Sequence, residues 1–64
     1  PVDDSVARKF GDVRAWQLDR GLVTPDLDLL NASVALLHDF TLVTHNTQDY
    51  VNVPGLKLED WLIP

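Results

Sequence analysis

The chain has 64 residues, a net charge of −5, 45% apolar side chains and no cysteine. That length allows one small domain, which buries only about 60% of its unfolded surface and gets no help from a disulfide or a zinc–thiolate site. The acidic balance argues against a general electrostatic grip on nucleic acid. No apolar run approaches the ~20 residues that span a bilayer, and the apolar share is too high for a disordered segment.

The first element is an amphipathic helix. Asp3, Asp4 and Ser5 offer N-caps and negative charge at its positive end. Val6, Phe10, Val13 and Gln17 recur at helical spacing, and Gly21 after Arg20 marks the stop. Gly11 either costs the helix roughly 1 kcal/mol relative to alanine or marks a close helix contact. Four of the five basic residues, Arg8, Lys9, Arg14 and Arg20, lie here, before Pro25. They are candidate phosphate contacts, set against the plainer reading of a solvated mixed-charge face.

Residues 21–25 form a connector, with Leu22 and Val23 expected to tuck inward. Thr24 and Asp26 can each cap the next helix, with Asp26 preferred. Asp28 then falls in the first turn, where free backbone N–H groups and the helix dipole favour a carboxylate. Residues 27–37 are apolar nearly all round, so this helix is expected to be buried on most sides. Asn31 and Ser33 are the exceptions, and Asn31 shares a face with Asp28.

His38, Asp39 and Phe40 end the helix, with Asp39 suited to a left-handed stop. Residues 41–44 (TLVT) read as a short buried strand. The polar loop His45 to Tyr50 leaves its carboxyl end, where sites form in open α/β sheets. Asn46 is expected to fix that loop through its amide, and Asp49 to cap a helical turn through Tyr50. His45 could serve as a base or ligand, although a lone loop histidine is more often solvated. After a turn at residues 53–55, Leu56, Lys57 and Leu58 alternate like a second strand. Trp61 and Leu62 are expected to seal an edge of the core. There is no repeat, glycine-rich phosphate loop or Ser/His/Asp nucleophile arrangement.

The run DLDLLNASVALLHDFTLVTHNTQDYVNVPGLKLEDWL resembles the C-terminal part of PIN-domain proteins of the VapC toxin type. Their pattern is an acid before LLIAA, then TLVTxNxxDF, then xxIPGLxLExW. The stretch DDSVARKFGDVRAWQLDRGL resembles the helix before it. The resemblance implies an α/β fold, the C-terminal fragment of a PIN-like three-layer α/β/α architecture with an incomplete parallel sheet. Its order is helix, helix, strand, short helical turn, short strand. Residues 1–64 would be the C-terminal portion of one PIN domain, with the N-terminal strands and helices absent. The proline start and the lack of methionine favour the same expectation of a piece of a longer chain.

Such proteins are metal-dependent endoribonucleases with, usually, four clustered acids. The resemblance carries Asp28 and Asp49 over as catalytic, metal-directing acids and Asn46 as a supporting residue. It implies Mg²⁺, with Mn²⁺ as the alternative, and a tRNA or mRNA substrate for the complete domain. It also implies a cognate antitoxin, a tendency to form homodimers, no membrane and a cytoplasmic location. Two family acids have no counterpart here, so this chain alone is expected to be inactive. A truncated remnant that binds an antitoxin or a toxin subunit is the alternative. Asn31 departs from the pattern, standing where the family usually has isoleucine. So do His45 and Gln48, at positions that are often basic.

Overall fold

The computed structural model describes residues 3–61. The order is helix α1 (Asp4–Asp19), helix α2 (Asp26–His38), strand β1 (Thr41–Val43), the short 3₁₀ helix η1 (Thr47–Tyr50) and strand β2 (Lys57–Glu59). This is the order expected from the sequence. β1 and β2 pair in parallel, Thr41 opposite Lys57 and Val43 opposite Glu59. Thr44 extends the ladder by donating its N–H to the Glu59 carbonyl at 3.0 Å. A parallel pair needs a crossover of a dozen or more residues. Residues 44–56 provide it, with η1 inside.

Local chemistry sets the helix ends. Asp3 caps α1 by accepting the Val6 N–H at 3.0 Å. Gly21 follows the last turn at φ +68°, a conformation open to glycine without cost. Asp39 ends α2 at φ 57°, ψ 39°, the left-handed stop expected of it. Gly11 lies within α1, and a Cβ there would meet nothing within 4 Å. It marks no close helix contact and only weakens local propensity.

α2 has no side-chain cap. Its N-cap is Pro25 (φ −53°, ψ 146°), and Asp26 is already the first helical residue. Asp26 is drawn away from capping by Arg14 of α1, whose guanidinium binds its carboxylate at 2.5 Å. Thr24 is also unavailable, because its buried hydroxyl accepts the Gln17 Nε2–H at 2.8 Å.

The core lies between α1, α2 and the crossover. Val13, Leu29, Ala32, Tyr50 and Val53 form its buried centre, with Phe10, Leu36, Leu42, Leu56 and Leu58 packed around it. Gln17, on the apolar stripe of α1, is fully buried. Its Nε2 also donates to the Asn52 carbonyl at 2.9 Å. One amide thus ties α1 to the connector and to the loop that follows η1. Its Oε1 is buried without a hydrogen-bond partner, a desolvation cost set against the two bonds made.

Three burial expectations need correction. β1 is not buried on both faces: Thr41 and Val43 are exposed and Leu42 half-buried. α2 buries only Leu29, Ala32, Ser33 and Ala35, while Leu27 and Leu37 are exposed. Val23 is exposed and only Leu22 turns partly inward. In each case one neighbouring layer covers one side of the element. Trp61 does not seal the core either. It is 74% exposed, its indole N–H donating to Glu59 Oε1 at 2.9 Å, and Leu62 lies outside the described residues. Among the described residues no helix is long and apolar enough to cross a membrane.

Candidate functional site

Asp28 and Asp49 arrive from different elements. The first intrahelical bond of α2 runs from the Leu29 N–H to the Pro25 carbonyl at 2.8 Å. Asp28 therefore sits in the turn whose own N–H groups have no helical acceptor, at the positive end of the dipole. Its carboxylate is half-buried. Asp49 lies within η1 and is exposed. It does not cap that turn. Its N–H instead donates to the Asn46 carbonyl at 3.1 Å.

Tyr50 joins the first of these acids to the core. The Tyr50 ring is buried in the core, and its hydroxyl donates to Asp28 Oδ1 at 3.1 Å. Burial raises the phenol above its ordinary value of 10.0. The Asn31 side chain acts in the opposite direction, while the bond to Asp28 and the charges of Asp28 and Asp49 raise it further. The bond is to Asp28; Asp49, 21 positions later in sequence, acts on the hydroxyl through its charge alone and as the smallest of these causes. Sequence reasoning treated Tyr50 only as part of a turn. The available signal was its hydroxyl, at a position where the TLVTxNxxDF pattern has phenylalanine.

The raised phenol has a consequence for stability. Between the ordinary value and the raised one, the unfolded chain has lost the proton that the folded chain keeps. Stability is therefore full below pH 10 and falls as pH rises through the folded value. Urea midpoints measured at increasing alkaline pH should drop more steeply for the wild type than for Tyr50→Phe. Parallel curves would contradict the assignment.

The other candidates are placed as follows. Asn46 caps η1 by position, but its side chain makes no capping hydrogen bond. Contrary to expectation, the loop is fixed by the Asn46 main-chain N–H, which donates to Thr44 Oγ1 at 3.1 Å. His45 pairs through Nδ1 with Asp60 Oδ2 at 3.1 Å, linking the ends of β1 and β2. Arg14 reaches the opening of α2 through Asp26, with Phe10 beneath its guanidinium at 5.4 Å. Arg20 folds back on Trp16 at 4.0 Å and donates to the Trp16 carbonyl. Arg8 and Lys9 line a cavity of about 330 Å³ with Asp4, Ser5, Asp12 and Leu37. Leu37 is nine residues beyond Asp28 on α2, roughly 13 Å along the axis, so Arg8 and Lys9 lie towards the far end of that helix.

Asp28 and Asp49 are hard oxygen donors of the kind Mg²⁺ and Mn²⁺ take. Their chemistry fits such an ion, but among the described residues no group of three or more His, Asp or Glu side chains could hold one. Two carboxylates alone fall short of such a ligand set.

No family model matches the chain. It is 38% identical over 52 residues to Ribonuclease VapC2 of Rickettsia felis (strain ATCC VR-1525 / URRWXCal2), across 81% of this chain and 39% of the relative. Its fold matches a chain in the crystal structure of VapBC2 from Rickettsia felis bound to a DNA fragment from their promoter. The TM-score is 0.83 at 34% identity, over 92% of this chain and 44% of that one. The chain thus spans less than half the length of either match. The order of elements, the parallel pair and the sequence identity agree, and the chain belongs to the VapC-type PIN-domain family, of which it represents a portion.

Proposed function

We propose that this chain supplies two of the acids, Asp28 and Asp49, of a Mg²⁺-dependent PIN endoribonuclease, the toxin of a toxin–antitoxin pair. The observation that carries the reading is the hydrogen bond from Tyr50, the residue after Asp49, to Asp28 Oδ1, which brings η1 against the opening of α2. The clustered acids of the complete domain would repel one another unless a cation is present. A pocket of this kind favours a divalent ion, with Mn²⁺ able to replace Mg²⁺.

Asp28 and Asp49 would hold that ion. When bound, it lowers the pKa of a coordinated water and offsets charge on the phosphate in the transition state. Asp28 contributes a carboxylate whose orientation is fixed on one side by Tyr50. Asp49 contributes an exposed one on the short helix. Arg14, at the opening of α2, is the basic side chain best placed to approach a phosphate. The substrate of the complete domain would be RNA, and a cognate antitoxin would be its partner.

With two acids rather than the family's four, the isolated chain should cut no RNA in Mg²⁺ or Mn²⁺. Joined behind the N-terminal portion of a full-length relative, it should cut, and Asp28→Ala or Asp49→Ala should lower the rate by at least about 100-fold, about 2.7 kcal/mol of transition-state stabilisation. Gel-resolved cleavage of a labelled RNA reads both results. Metal-dependent cutting by the isolated chain, lost in Asp28→Ala, would overturn the expectation of inactivity.

A second reading, a chain that acts by binding alone, draws on one observation. An apolar groove of about 290 Å³ runs between α2 and β1, lined by Val34, Ala35, Phe40 and Leu42. Pull-down of a full-length toxin subunit or antitoxin by this chain, without any cleavage by the joined protein, would favour it.

A further inference from the structure

We propose that Tyr50 is a positioning residue that holds the Asp28 carboxylate in one orientation and leaves its Oδ2 as the oxygen free for a cation. This deepens the reading of Asp28 and Asp49 as an ion-binding pair and rests on it for the part that concerns the cation.

The Tyr50 side chain is rigidly held. The Tyr50 ring is only 6% exposed and packs with Val13, Leu29, Ala32 and Val53. Its backbone is held at both ends: it closes η1, and its carbonyl accepts the Val53 N–H at 3.1 Å. That loop is fixed again two residues after Tyr50, where the Asn52 carbonyl accepts from Gln17. A hydroxyl on such a ring has little freedom, and it is directed at Asp28 Oδ1, 3.1 Å away.

The phenol O–H proton goes to Asp28 Oδ1. A carboxylate held by one oxygen keeps the other for a second partner. An outer group that orients a metal ligand in this way typically changes metal affinity by about 10–100-fold when removed. Nothing in the core requires the hydroxyl, since phenylalanine would fill the same space. Its role is towards Asp28.

The test uses the full 64-residue chain, labelled for NMR, as wild type and Tyr50→Phe. Three-bond couplings to the Asp28 carboxyl carbon report its side-chain rotamer, and Mn²⁺ titration reports affinity through line broadening. Thermal melts confirm that the variant is folded. The wild type should show a single Asp28 rotamer, and Tyr50→Phe an average of several with the fold intact. Mn²⁺ affinity should weaken on the order of 10-fold in Tyr50→Phe.

A single Asp28 rotamer in Tyr50→Phe, or averaging already in the wild type, would overturn the proposal whatever the cation does. Rotamer averaging in Tyr50→Phe, together with no Mn²⁺ binding by any form, would leave the positioning role standing. That outcome would count against the ion-binding reading instead.

Discussion

Leu29→Ala is expected to unfold the chain, or to lower its melting temperature by at least about 10 °C. Leu29 has no exposed surface and sits in the centre of the core beside Val13, Ala32, Tyr50 and Val53. Truncating such a leucine costs about 2–5 kcal/mol, because transfer and cavity terms add. A domain of this size has roughly 3–10 kcal/mol in total, at about 0.05–0.15 kcal/mol per residue. Each kilocalorie shifts the midpoint of a small domain by about 4–8 °C. The loss would reach the candidate site as well, since Leu29 follows Asp28 and packs in the cluster that holds Tyr50. Val51→Ala is the control: Val51 is 69% exposed, and its removal should cost no more than about 0.5 kcal/mol. Circular dichroism melts of both variants check the contrast. An unchanged Leu29→Ala midpoint would show that the core is not where these contacts place it.

The second large effect is chemical. Asp28→Asn should weaken Mn²⁺ binding by at least about 10-fold while leaving the melting temperature nearly unchanged. The amide oxygen of asparagine can still accept the Tyr50 hydroxyl, so the hydrogen bond at 3.1 Å survives. What goes is the negative charge and the hard anionic donor that a divalent ion requires. Asp26→Asn separates this from a general loss of acidity. The Asp26 carboxylate is 91% exposed and bound to Arg14, so its neutralisation should leave Mn²⁺ affinity unaltered. An exposed pair of this kind adds at most about 1 kcal/mol to stability. Calorimetric titration of the three proteins decides the matter. Equal affinity in wild type and Asp28→Asn would remove Asp28 from the ion.

Much of this architecture could be read from local chemistry. Asp3 caps α1, Gly21 takes the left-handed position after it, and Asp39 does the same after α2. These are decisions made within a few residues, and the sequence carries them directly. The alternation Leu56, Lys57, Leu58 marked the second strand to within one residue of Lys57–Glu59. The misses arise differently. Asp26 reads as a cap until Arg14, twelve positions earlier, takes its carboxylate. Thr24 reads as a cap until Gln17 takes its hydroxyl. Asn46 reads as an amide clamp until Thr44 Oγ1 receives its backbone N–H. In the first two a partner from another element replaces the local arrangement, and in the third the loop backbone takes the role two residues away.

The candidate site divides the same way. Asp28 was legible as an acid at a helix start and Asp49 as an acid beyond a strand. That the residue after Asp49 bonds Asp28 was not legible, because it depends on how η1 packs against α2. Burial was the hardest property to read. The apolar run of α2 and the strand β1 look covered on both sides, but each leaves apolar side chains such as Leu27 and Val43 exposed.

The central claim is that Asp28 and Asp49 face one divalent ion, and Mn²⁺ titration of the isotope-labelled 64-residue chain tests it most directly. Paramagnetic broadening should appear first and together at Asp28, Asn31, Asp49 and Tyr50, while signals of Asp4, Asp12 and Asp39 persist. Broadening confined to one of the two acids, or spread evenly over all ten acidic residues, would contradict the account.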